Sequence, residues 1–208
     1  MLSVARMGTS EGHVEIPIHR VMDRNARCSP AEISHFFRNV WDEAIQEFAR
    51  GGITFAITDQ SGEVLKHPSG KPRFKCLQRD AINVILTDRV PLDWDKGRSL
   101  AGVAVVYEGY CLCVISMREA HGNQIPFVGT NTVIHELLHI LLQDVFIART
   151  DLTHGQSREA RADYYATKLW LFGSADFIRQ EARSCLRRLP QANNKSSDLD
   201  GCPAAAKS

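Results

Sequence analysis

The chain has 208 residues, 44% hydrophobic and 24% charged, and its 25 basic and 24 acidic side chains leave a net charge of +1. This suits one globular domain with a real core, and the balanced charge gives no global electrostatic case for nucleic acid or an anionic membrane. No apolar run approaches the roughly 20 residues that span a bilayer, and the opening MLSVARMGTSEGHVEIP lacks the apolar core of a signal peptide; a cytoplasmic protein with neither a membrane nor a nucleic-acid partner is expected.

In chain order, VEIPIHRV (14–21) alternates as a strand does. A helix follows: Ser29 is the expected N-cap, Pro30 suits the first helical position, and Glu32 completes a capping box. Ile33, Phe37, Val40, Trp41, Ala44, Ile45 and Phe48 recur at helical spacing until Gly51-Gly52 stops the helix. ITFAIT (53–58) predicts a strand that ends in the turn DQSGE, and KHPSGKPRFK a polar loop. AINVILTD (81–88) is a largely apolar strand, expected to be buried on both faces, and VPLDWDKGRS is another loop. AGVAVVYEGYCLCVISMR predicts two strands in a tight hairpin at Glu108-Gly109. Helices are expected over about 131–147, 157–172 and 175–189, and the composition from 190 to 208 predicts a disordered tail. Residues 1–188 thus form one domain: a sheet lobe over about 14–118, then helices. The aromatic residues Trp41, Phe48, Phe55 and Phe74 are expected in the core. The six cysteines contain no C-x-x-C pair, so free thiols in a reducing compartment are expected.

The chemistry concentrates in NTVIHELLHILLQDVF (131–146). On a helix His135 and His139 lie one turn apart on one face, so their imidazoles can converge on one ion. Glu136 sits about 100° around the axis, where a carboxylate reaches a metal-bound water without binding the metal. Alone, H-E-x-x-H is a moderate signal, and a helix with two surface histidines would also produce it. Here Val133, Ile134, Leu137, Leu138, Ile140, Leu141, Leu142, Val145 and Phe146 leave almost no polar face. Three polar side chains inside such a helix are costly without a partner, and a metal supplies one. A closed site needs a third ligand, and this stretch has none: positions 142 and 145, where one zinc-protease class carries Gly and His, hold Leu and Val. No methionine follows Met117, which also removes that class's methionine turn and excludes a metzincin ending.

The next predicted helix, SREARADYYATKLW, carries Glu159 and Asp163 four apart on one face. H-E-x-x-H followed by E-x-x-x-D resembles the gluzincin zinc peptidases, and E-x-x-A-D-x-Y-A is similar to the ligand helix of ImmA/IrrE-type peptidases. It also resembles the corresponding helix of membrane-bound zinc peptidases, a comparison that stops there because no membrane span is seen. The resemblance covers residues 131–167, and the strands before them only by order. It implies an α+β, zincin-like fold: a mixed, mostly parallel sheet with a backing helix, an active-site helix over about 131–147 and a helical lobe over about 157–189. It implies zinc (Zn2+) as cofactor, Glu159 as third ligand, and Asp163 as the carboxylate that fixes the ring of His135. It implies Glu136 as general base in a peptidase acting by direct water attack.

His154 competes with Glu159 as ligand, or is a transition-state donor, or is an ordinary loop histidine. Tyr164 and Tyr165 are further candidates to hold an oxyanion, since no histidine follows His154 for that task. In zinc peptidases the strand before the active helix often pairs with substrate backbone; residues 101–109 are in that place, for a peptide or protein substrate, and an ordinary hairpin strand is the equal alternative. Two other functions stay open: a non-catalytic zinc-binding regulatory module, and a metal-dependent hydrolase of a non-peptide substrate.

Overall fold

The computed structural model describes residues 12–62, 64–66, 72–74, 76–90, 101–118, 132–142 and 174–192. Strand β1 (Val14–Asp23) leads into helix α1 (Pro30–Phe36). The capping box is formed: the Ser29 hydroxyl accepts from the Glu32 N–H at 3.2 Å and the Glu32 carboxylate accepts from the Ser29 N–H at 2.6 Å. Two of the three orphan donors at the helix start are thereby satisfied, Pro30 having no N–H to satisfy. α1 continues through a π-helical stretch (Phe37–Trp41) into α2 (Asp42–Arg50), and Gly52, at φ +77°, turns the chain out of it. The π-helical turn is not apparent in the hydrophobic spacing. Its Phe37 and Trp41 rings each lie 4.8 Å from the Arg20 guanidinium of β1.

Strand β2 (Ile53–Gly62) runs parallel to β1 over ten residue pairs, beyond the expected turn at DQSGE. Cross-strand pairing explains the extension. Arg20 stands opposite Asp59 and holds its carboxylate through two hydrogen bonds of 2.6 and 2.8 Å, and Arg24 donates to Ser61 at 3.0 Å. These polar residues therefore lie in the ladder rather than in a turn. Parts of the expected loop 66–75 form a small antiparallel hairpin, β3 (Val64–Lys66) with β4 (Pro72–Phe74). Strand β5 (Ile82–Thr87) is buried along its whole length, as its apolar run predicts. The Asn83 amide anchors the segment before it, accepting from the Gln78 N–H at 2.7 Å and donating to the Gln78 and Cys111 carbonyls at 2.9 and 3.2 Å.

Strands β6 (Gly102–Tyr107) and β7 (Tyr110–Ser116) form the expected hairpin. Glu108 and Gly109 both take positive φ, 48° and 81°, as a two-residue turn with the twist of its strands requires. The main sheet has the order β2-β1-β5-β7-β6; its first four strands are parallel and β6 is antiparallel. This is the mixed, mostly parallel sheet expected. Helix α3 (Thr132–Leu141) and helix α4 (Ser174–Ala192) follow. α4 runs into the region expected to be a disordered tail, with Pro190 inside its last turn. So near a helix end a proline removes one N–H and need not terminate the element. The helix expected over 157–172 and the tail from 193 lie outside the described residues.

One large core fills the space between the sheet and the helices: Ile16, Ile18, Phe36, Trp41, Phe48 and Leu86 meet α3 and the Ile178, Ala182, Cys185 and Leu189 stripe of α4. A smaller cluster of Val21, Ile85, Val90, Leu112 and Val114 lies on the opposite face. Of the four aromatics expected in the core, Trp41 and Phe48 are buried there with Phe55 against them, whereas Phe74 packs on the opposite face with its ring 5.6 Å from that of Tyr107. Cys28, Cys111, Cys113 and Cys185 are free thiols as expected; Cys76 is disulfide-bonded, which corrects the expectation for that residue, and Cys202 lies outside the described residues. No helix among the described residues is long and apolar enough to cross a membrane.

Candidate metal centre

Helix α3 carries the H-E-x-x-H residues, and all ten of its residues are buried. It packs on the β6–β7 end of the sheet and against α4. Val133, Leu137, Leu138, Ile140 and Leu141 have no exposed surface, so the helix is held by apolar contact around most of its circumference. The alternative of two surface histidines on an amphipathic helix does not describe it: His135 is 6% exposed, Glu136 7% and His139 8%.

His135 and His139 meet on one face. Their Nε2 atoms are 3.0 Å apart and their rings cross nearly at right angles, 83°, with centroids 4.7 Å apart. Two nitrogens with in-plane lone pairs thus point at each other. Without metal one Nε2–H donates to the other; with metal both present lone pairs to the ion. Two imidazole nitrogens on a tetrahedral zinc with Zn–N of about 2.0–2.1 Å stand roughly 3.3 Å apart. The observed spacing is a few tenths of an ångström shorter, so the pair fits such an ion with a small opening of the rings.

Glu136 points elsewhere, as its position around the axis predicts. A Cβ placed on Gly102, the first residue of β6, would stand 2.6 Å from the Glu136 Cγ and 2.9 Å from its Oε1. The Glu136 carboxylate therefore lies directly over the α-carbon of Gly102. The Cys113 thiol of β7 is also close, and burial first, then the Glu136 charge, pushes it well above the ordinary thiol range. The carboxylate is thereby placed between α3 and the β6–β7 hairpin. Neither Gly102 nor Cys113 was singled out from the sequence. The one signal is a glycine in the valine-rich run AGVAVVY.

The structure thus brings His135 and His139 together and sets Glu136 beside them on the sheet side. Glu159, Asp163, His154, Tyr164 and Tyr165 lie outside the described residues. Among the described residues no group of three or more His, Cys, Asp or Glu side chains is arranged to hold a metal. The described part of the site is two histidines and a carboxylate. The segment 101–109, read equally as a substrate-pairing strand or an ordinary hairpin strand, contains β6, which is an edge strand of the sheet as described. Comparison with protein-family models, with curated proteins and with solved structures finds no match.

Proposed function

We infer that this protein is a zinc-dependent peptidase of the gluzincin type, with a zincin-like arrangement of sheet and active helix. The observation that carries the reading is the buried pair of Nε2 atoms, 3.0 Å apart on α3, with Glu136 one residue along and turned toward the edge strand. His135 and His139 would hold the ion, with Glu159 as third ligand and Asp163 behind His135. Bound zinc supplies Lewis acidity and an acidified water at neutral pH. Glu136 takes the proton from the attacking water and returns it to the leaving amide nitrogen. Its burial beside apolar residues keeps bulk water from competing for that proton. Among the described strands β6 has one neighbour, and its outer edge would offer backbone N–H and C=O groups to an extended peptide, which favours affinity through main-chain bonds over side-chain specificity.

The test combines metal content and hydrolysis in four proteins. Wild type carries about one zinc per chain and cleaves peptides; Glu136→Gln keeps fold and zinc and loses cleavage; Glu159→Ala loses zinc; His154→Ala keeps it. A wild type that takes up no zinc defeats the reading. A zinc-loaded wild type that cleaves no member of a peptide panel but hydrolyses an ester or RNA shifts it to another hydrolase. Zinc with no hydrolysis of any of the three supports the regulatory module.

A further inference from the structure

Gly102 departs from local preference. It sits in β6 paired with Ile115 of β7, and the neighbouring Ala101 carbonyl accepts from the Ser116 N–H at 2.8 Å, so the ladder is intact around it. Its φ is not in the left-handed region; among the described glycines that conformation belongs to Gly52 and Gly109. The backbone therefore does not require glycine here. A strand favours β-branched side chains, which the following Val103, Val105 and Val106 supply, and glycine is depleted in strands. What requires it is the neighbour. A Cβ would lie 2.6 Å from the Glu136 Cγ, 2.9 Å from Oε1 and 3.0 Å from Cδ. The Oε1 end of the side chain can swing aside, but Cγ, one bond from a Cβ fixed on α3, moves only by a change of χ1 rotamer. Lifting that helix would expose its own Val133, Leu137 and Ile140, which are fully buried, and part it from β6, β7 and α4. Ala104, two residues along on the same face, is also small and packs toward the helix-side core.

We propose that Gly102 is a positioning residue for Glu136: its bare α-carbon is the floor on which the carboxylate rests, and it sets where the general base stands relative to the His135–His139 pair. The proposal rests on the peptidase reading for its catalytic consequence, but the contact can be tested without it. Wild type, Gly102→Ala, Glu136→Ala and the double variant are unfolded thermally in chelator. Gly102→Ala is expected to lower Tm by roughly 5 °C in the wild-type background, as overpacking does. It should have little effect in the Glu136→Ala background, where Cγ, Cδ and Oε1 are gone. Equal losses in both backgrounds, or none in either, overturn the proposal whatever the protein hydrolyses. If Gly102→Ala alone fails to fold, the double variant is expected to fold, and its failure too would overturn the proposal.

The second arm uses a quenched-fluorescent peptide cleaved by the wild type. Gly102→Ala should keep its zinc and its KM and lose kcat by about 100-fold, the cost of misplacing a catalytic group by about an ångström. Gly102→Val should lose more. An unchanged kcat, or a loss that tracks zinc content, refutes the positioning role. A wild type that cleaves no peptide removes the peptidase reading, and the thermal cycle alone then decides whether Gly102 seats Glu136.

Discussion

Zinc should raise the thermal stability of the whole domain through His135, and the size of the effect follows from where α3 sits. All ten residues of the helix are buried, and it packs on β6, β7 and α4, so it does not open without disrupting the main core. Free energy gained at His135 and His139 therefore appears in the global transition rather than in local fraying. With free zinc at about 100 times its dissociation constant, binding to the native state alone contributes about 2.7 kcal/mol. For a chain of this size that moves Tm up by roughly 5–10 °C. Zinc binding by the thiols of the unfolded chain reduces the figure, so the lower end is expected. The assay is differential scanning calorimetry of wild type and His135→Ala, each with chelator and with zinc. His135→Ala also loses buried packing, so the comparison is between the two zinc-induced shifts and not between absolute Tm values. Wild type should shift and the variant should shift by less than a third as much. A wild-type transition that saturating zinc leaves unmoved, or equal shifts in the two proteins, refutes the reasoning.

Other outcomes follow from the rest of the fold. Burial lowers the pKa of His19 from 6.5; its Nε2–H donates to the Cys76 carbonyl at 2.8 Å and its Nδ1 accepts from the Thr58 hydroxyl at 3.1 Å. The unfolded chain thus binds the proton first, and stability falls as pH drops below about 6.5 toward the lowered folded value. His19→Gln should flatten that part of the stability–pH curve measured by urea unfolding, and an unchanged slope contradicts it. Burial holds the Cys111 and Cys185 thiols up at about 12 and pushes Cys113 up as well, so these three should resist alkylation at pH 8 until the protein unfolds. Peptide mapping by mass spectrometry checks this, and rapid native labelling of any of the three counts against it. Ser29→Ala removes the capping-box hydroxyl and should cost about 1 kcal/mol in urea unfolding; no loss would mean that the Glu32–Arg118 ion pair, at 3.2 Å, holds the helix start instead.

Much of the fold was legible because local rules agree with the tertiary structure. The capping box at Ser29 and Glu32, the apolar run of β5 and the Glu108-Gly109 turn each follow from short-range chemistry, and each is formed. What was not legible depends on partners distant in sequence. β2 passes through DQSGE because Arg20 and Arg24, roughly forty residues earlier, supply polar partners for Asp59 and Ser61. Phe74 lies apart from Phe48 and Phe55 because β4 covers the other face of the sheet, and no periodicity in a three-residue strand reveals a face. At the site, helical geometry was enough to predict that His135 and His139 converge and that Glu136 turns away from them. It could not predict what Glu136 turns toward, because the pairing of β6 with β7 and their packing under α3 are set by the whole core.

The weight of the functional reading falls on Glu136 more than on the histidines. Two buried Nε2 atoms 3.0 Å apart can satisfy each other by one hydrogen bond, so that contact alone is compatible with an ordinary core. A carboxylate is different. A buried carboxylate, even a partnered one, is often no more stabilising than an apolar side chain of similar volume, such as a leucine at position 136 would supply. A second departure lies at position 102, where the strand accepts a glycine in place of the valines that follow it, and the close approach of Glu136 is what that glycine accommodates. Each residue violates the preference of its own element, Glu136 in an apolar helix and Gly102 in a β-branched strand, and the two violations meet at one contact. Unrelated imperfections would have no reason to coincide there. A structural zinc site needs ligands but no carboxylate seated beside them. Paired departures from local preference at one point favour a position held for chemistry over one held for stability, and the proposed chemistry for a carboxylate next to two converging imidazoles is proton transfer to and from a metal-activated water.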